Sequence, residues 1–151
     1  MKIWIDADAC PRPIKEMLFR ASERAKVEVT LVANQWMAVP PSPLITIIQV
    51  PQGSDVADAK IVELCDAGDL IVTADIPLAA QVVAKGAFAL NPRGELYDKS
   101  NIGGVLAMRD FMDSLRGSGM ETGGPAAFGQ KDRQAFADAL DRFITRSGKA
   151  S

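Results

Sequence analysis

The stretch Ile3-Trp4-Ile5-Asp6-Ala7-Asp8-Ala9-Cys10-Pro11 is an apolar run that stops at two carboxylates, with a proline just beyond. A continuous apolar run bounded in this way reads as a short strand buried on both faces. Proline at the first helical position can open a helix, because the N–H it lacks would have no intrahelical partner there. The same order returns at Leu70-Ile71-Val72-Thr73-Ala74-Asp75, followed by Pro77. Two buried parallel strands that both end in aspartate bring like charges to one edge of a sheet. That crowding is costly unless a cation neutralises it.

Outward from these two segments the chain alternates strand and helix. Val27 to Ala33, Ile45 to Val50 and Ala87 to Leu90 read as further strands, the second because it is rich in β-branched residues. Pro11 or Pro13 opens a helix with Ile14, Met17, Leu18, Ala21 and Ala25 in an apolar stripe near period 3.6. Val39-Pro40-Pro41-Ser42-Pro43 can be neither helix nor central strand and is a connector. Ser54 or Asp55 is placed to cap a helix carrying Ile61, Leu64 and Cys65, with Gly68 closing it. Ile76 to Lys85 is a short helix stopped by Gly86.

Further on, a helix is expected around residues 101–116, with Val105, Met108, Met112 and Leu115 facing inward. Gly117 to Gly129 reads as a loop, and Lys131 to Arg146 as a final amphipathic helix. The expectation is one domain over residues 1–146, with a frayed tail at 147–151. Strands that are apolar runs, alternating with helices, indicate an α/β fold. It should be a three-layer α/β/α sandwich around a mostly parallel sheet of about five strands.

Composition narrows the chemistry. The chain has 151 residues, 48% hydrophobic and 24% charged, which suits a globular domain. Its 17 basic and 19 acidic residues leave a net charge of −2, so there is no overall basic signal for nucleic acid. There is no histidine. That removes the usual general base, every histidine-containing triad and every imidazole metal site. A metal would be held by oxygen, which favours Mg²⁺ or Mn²⁺ over Zn²⁺. Two cysteines, Cys10 and Cys65, make no disulfide framework. The core-forming segment starts at Lys2, leaving no room for a signal peptide, and no apolar run reaches the ~18 residues of a membrane span. A cytoplasmic location is expected.

In parallel α/β sheets, ligands bind beyond the carboxyl ends of the strands. Asp6, Asp8, Asn34 and Asp75 fall at such ends, and Asp55 and Asp58 near the start of the following helix. Aspartate is also common as a turn residue or N-cap, and acids at a helix N-terminus favour its dipole. Arg93, between proline and glycine, suits either a phosphate contact or a solvated surface. Thr122-Gly123-Gly124-Pro125 offers backbone N–H groups to a phosphate or is simply a glycine-rich loop. Cys10 precedes a helix-opening proline, where a thiolate could be favoured, but acids stand next to it. Cys65 looks like core. Trp4 reads as packing, and Trp36 either stacks on a base or covers the core.

These segments, with Leu31-Val32-Ala33-Asn34-Gln35, Asp55-Val56-Ala57-Asp58, Asn91-Pro92-Arg93-Gly94 and Met108-Arg109-Asp110-Phe111-Met112, resemble in order and number the bacterial YaiI/YqxD family, from Lys2 to about Arg146. That family is similar to PIN-like domains, nucleases that place acidic residues around one or two Mg²⁺ or Mn²⁺ ions at the sheet's carboxyl edge. By position, the resemblance implies Asp6 as the first-strand acid, Asp55 or Asp58 as the middle-helix acid, and Asp75 as the acid after the fourth strand. Asp8 is an addition to the commoner single acid.

The leading expectation is therefore a metal-dependent phosphodiester hydrolase acting on RNA or another phosphate-containing substrate. Asp6, Asp8 and Asp75 would be catalytic. Asp6, Asp55, Asp58 and Asp75 would hold Mg²⁺ or Mn²⁺. Asn34, Arg93, Arg109, Thr122, Gly123 and Gly124 would meet phosphate. Two rivals stand beside it. One is a haloacid-dehalogenase-like phosphatase with Asp6 as covalent nucleophile and Asp8 as acid/base, although Cys10 and the single acid at Asp75 depart from that pattern. The other is a non-catalytic RNA- or protein-binding module.

Overall fold

The computed structural model describes residues 1–53, 55–119 and 127–150. Six strands, β1 (Lys2–Asp6), β2 (Glu28–Ala33), β3 (Ile45–Gln49), β4 (Leu70–Val72), β5 (Phe88–Leu90) and β6 (Leu96–Tyr97), form one sheet in the order β3-β2-β1-β4-β5-β6. The first five are mutually parallel and β6 is antiparallel to β5. The helices are α1 (Arg12–Ala25), α2 (Val56–Leu64), α3 (Ile76–Ala84), α4 (Ile102–Gly117) and α5 (Gln130–Ala150). A single 3₁₀ turn, Ala7–Ala9, joins β1 to α1.

Strand alternation builds two cores. Ile3 and Ile5 of β1 and Leu70 and Val72 of β4 face one side, where Ile14 and Leu18 of α1 and Phe136 and Leu140 of α5 cover them. Trp4 and Ile71 face the other, against Ile61 of α2 and Leu78 and Val82 of α3. The result is the expected three-layer α/β/α arrangement. Trp4 is packed, as read from sequence, and its indole Nε1 donates to Asp69 Oδ2 at 3.0 Å. Asp69 also accepts the backbone N–H groups of Lys2 and Asp66, each at 2.9 Å. A buried carboxylate is tolerated because three donors replace its water.

Several expectations change. The sheet has six strands rather than five. β6 is two residues long, too short for a periodic signal, and arises because Asn91 accepts N–H groups from Arg93 and Glu95 and folds the chain back. α2 ends at Leu64, with Cys65 already extended. Gly68 (φ +89°) therefore serves the turn into β4 rather than closing the helix. Leu64 is exposed and Cys65 buried.

The helix α4 has no buried residue, and Met108, expected inward, is 60% exposed. α4 packs mainly on α3, so most of its apolar stripe stays at the outer surface of that layer. Val105 alone of the four expected positions joins the second core. α5 runs to Ala150, beyond the expected end at Arg146.

Candidate active site

The switch in strand order lies at β1, whose neighbours β2 and β4 carry the chain away in opposite directions. A crevice opens at the carboxyl ends there. Asp6 ends β1 on the same side as Trp4, because side chains alternate along a strand. Thr73 follows β4 on the same side as Ile71. The Thr73 hydroxyl donates to Asp6 Oδ2 at 2.9 Å and accepts the N–H of Asp75 at 3.0 Å. Asp75 caps α3, its Oδ1 accepting the N–H of Leu78 at 2.9 Å. One hydroxyl thus ties the two strand-end acids together.

Asp55 and Asp58 reach the same edge from α2. Asp55 stands at the N-cap position in the left-handed region (φ 65°), which aspartate tolerates better than most residues. Its side chain makes no capping bond, contrary to expectation, and Ser54 lies outside the described residues. Asp58 lies one turn into α2.

A cleft of about 570 Å³ is lined by Asp55, Asp58, Asp75, Pro77, Gln81 and Arg109, among others. Burial pushes the Asp58 carboxyl up to about 6, helped by the negative charges of Asp75 and Asp6 and by a hydrogen bond to Asp75. Burial also raises Asp6; the Thr73 hydroxyl pulls it back, and Asp75 and Asp8 add to the rise. The structure therefore contains the like-charge crowding expected from two acid-ended strands.

The remaining candidates divide. Asp8 is exposed, and its Oδ2 accepts the backbone N–H of Asn34 at 2.7 Å, locking the end of β2 to the turn after β1. The Asn34 side-chain Oδ1 is buried, with no hydrogen-bond partner among the described residues. Arg93 is away from the cleft lining and pairs with Asp132 of α5 at 3.2 Å. Arg109 lines the cleft, steadied by Asp110 at 3.1 Å and Asp113 at 3.4 Å. Thr122, Gly123 and Gly124 lie outside the described residues. Trp36 is 67% exposed, so it does not cover the core.

Cys10 is buried and its thiol is pushed up to about 12 by that burial, so it is protonated at neutral pH and no nucleophile. Thr73 and Gln81 were not singled out from sequence. A polar residue closing an apolar strand two positions before Asp75 was the available signal for Thr73. Gln81 carried none.

The donor set at this edge is oxygen throughout, the chemistry of a hard divalent cation. Among the described residues no three acidic or sulfur side chains converge into a ready ligand group. Mg²⁺ does not demand one, since it usually keeps several waters and takes one or two carboxylates. The crowded Asp6, Asp58 and Asp75 carboxyls fit such an ion.

A family model described as "Uncharacterized BCR, YaiI/YqxD family" matches residues 4–146. The chain belongs to the YaiI/YqxD family. A UPF0178 protein of Shewanella pealeana is 64% identical over 151 residues, covering all of both chains. Another, from Syntrophotalea carbinolica, is 64% identical over 146 residues, covering 97% of this chain and 99% of its own. A third, from Maridesulfovibrio salexigens, is 58% identical over 147 residues, covering 97% of each. No solved structure matches. Among the described residues of this YaiI/YqxD-family chain, no helix is long and apolar enough to cross a membrane.

Proposed function

We propose that the carboxyl-edge cleft hydrolyses phosphodiester bonds, with RNA as substrate and Mg²⁺ or Mn²⁺ as cofactor. One observation carries this: Asp6, Asp58 and Asp75, from three separate elements, are electrostatically coupled at the switch point, beside a cleft whose wall bears Arg109. Asp6 and Asp75 would hold the ion, with Asp55 and Asp58 as further oxygen donors or partners of its waters. When bound, the ion supplies positive charge to the phosphate and lowers the pKa of water.

The chain's own groups do the rest. Thr73 fixes the rotamer of Asp6 and the position of Asp75. Asp58, beside Asp75 in the same cleft, would accept a proton from an attacking water. Arg109, on the cleft wall, would meet non-bridging phosphate oxygens. Exposed Trp36, Met108 and Phe111 offer surfaces on which bases can rest.

The phosphatase reading is weaker, because the Asp8 carboxylate it needs for proton transfer is engaged by Asn34. The test is incubation with single-stranded RNA and Mn²⁺. Cleavage should stop on chelation and in Asp6→Asn, with RNA binding changed less than cleavage. Cleavage that persists in Asp6→Asn, or that separates from the protein on a sizing column, would refute the reading. An aspartyl-phosphate trapped on Asp6 would favour the phosphatase. RNA binding without cleavage in any metal would favour a binding module.

A further inference from the structure

Along the edge strand β6, from Met1 and Gly68 at the amino end to Gly94 in the β5–β6 turn, two adjoining hollows of about 420 and 240 Å³ share Leu96, Phe143 and Arg146. Together they form an elongated groove between α5 and the edge strand β6. Its apolar wall is built from Phe88 and Phe143, whose rings meet edge to face with centroids 5.3 Å apart, with Leu96 and the half-exposed Met1 beside them. Arg142 and Arg146 line it from successive turns of α5.

These two cations stand out by what surrounds them. At i and i+4 their Cβ atoms lie about 6 Å apart, where like charges repel. The three acids of α5 are all engaged elsewhere: Asp132 with Arg93, Asp138 with Gln134, and Asp141 with Arg24. The acid lining the groove, Asp98, turns its carboxylate to Ser100 and Asn101. Arg142 and Arg146 make no ion pair among the described residues. A helix C-terminus favours Arg146 through the dipole, but that does not account for both guanidiniums bordering an aromatic hollow.

The geometry points to a second ligand site, an apolar groove with an arginine clamp that takes a short linear carboxylate. Its acyl chain lies over Phe88, Leu96 and Phe143, and its head group lies between Arg142 and Arg146. A single negative charge suits the head better than a phosphate dianion, because Asp98 stands on the same rim. The site is separate from the hydrolytic cleft and does not depend on it.

The experiment titrates octanoate into the metal-free protein and follows backbone amide resonances. Octanoate should shift Phe88, Leu96 and Phe143 and leave Asp58 and Arg109 in place. Octylammonium, with the same chain and opposite charge, should bind at least tenfold more weakly. Arg142→Glu with Arg146→Glu, at exposed positions that leave the core intact, should weaken octanoate binding by more than tenfold.

No shift at about millimolar octanoate, equal binding of octylammonium, or unchanged binding in the double variant would overturn the assignment. Shifts that vanish instead in Phe111→Glu would move the binding to α4 and overturn it equally. Concentration-dependent broadening of the groove resonances without ligand would assign the groove to a second copy of the chain.

Discussion

The Thr73 hydroxyl stands 2.9 Å from Asp6 Oδ2 and 3.0 Å from the N–H of Asp75, joining the ends of β1 and β4 through one oxygen. It both accepts and donates, as only a hydroxyl among small side chains can. Thr73 is 3% exposed, so water does not easily replace it.

Thr73→Val keeps the shape and removes the hydroxyl. It leaves a half-buried carboxylate and a backbone N–H without their partner, which should cost about 1–3 kcal/mol. Thr73→Ser should recover most of the loss. Urea unfolding of the three proteins measures this; equal midpoints for Thr73→Val and wild type would show that the bridge contributes nothing.

Asp58 sets a pH dependence. Its folded-state value of about 6 lies above the ~3.9 of an unfolded aspartate. The folded state therefore holds the proton more tightly. This contribution is fully present below the unfolded value and is lost as pH rises through about 6. Metal-free protein should lose stability across that interval, and Asp58→Asn, which mimics the protonated form, should lose less. Denaturant midpoints measured at roughly pH 4.5 and pH 7.5 bracket the change. A wild-type slope identical to that of Asp58→Asn would remove Asp58 from the crowded set.

The three-donor seat of Asp69 predicts a larger effect. Asp69→Ala strands the Trp4 indole N–H and two backbone N–H groups, for an expected loss of about 3 kcal/mol or more. Asp69→Asn keeps acceptor oxygen and should lose less. Tryptophan fluorescence during unfolding, recorded in a Trp36→Phe background so that Trp4 alone reports, measures this, and a loss below about 1 kcal/mol would contradict the arrangement.

Gly94 lets α5 approach the β5–β6 turn. A Cβ there would lie 2.6 Å from the backbone carbon of Ala135, and φ is +90°. Gly94→Ala should destabilise by about 1–3 kcal/mol through clash and backbone strain, whereas Gly103→Ala, with open space around it, should be neutral or stabilising. Thermal midpoints of the two variants should move in opposite directions or differ clearly.

Much of this architecture was legible in the chain. Ile3 to Ile5 and Leu70 to Val72 are apolar on both faces, as strands of a covered parallel sheet are, and the aspartates that follow them lie at its carboxyl edge. β6 was not legible because Leu96-Tyr97 is shorter than one period of any pattern, and its turn depends on the Asn91 side chain. The exposure of Met108 was missed because periodicity shows that a helix has an apolar face, not which neighbour meets it. Arg93 suited either a phosphate contact or a solvated surface in sequence; its partner Asp132 lies 39 residues away in another layer. Thr73 was hidden for a similar reason: its role comes from two strands meeting, not from its own segment.

The central claim, an oxygen-ligand cation site at Asp6 and Asp75, is met most directly by metal titration followed by calorimetric unfolding. Asn at position 75 still caps a helix well, and Asn at position 6 still accepts from Thr73, so Asp6→Asn with Asp75→Asn should fold. Without metal it should melt at or above wild type, since crowded negative charge is gone. Mn²⁺ or Mg²⁺ should stabilise the wild type by about 2–3 kcal/mol at a hundredfold excess over its dissociation constant and leave the double variant unmoved. Equal metal-induced shifts in both proteins, or none in either, would contradict the site.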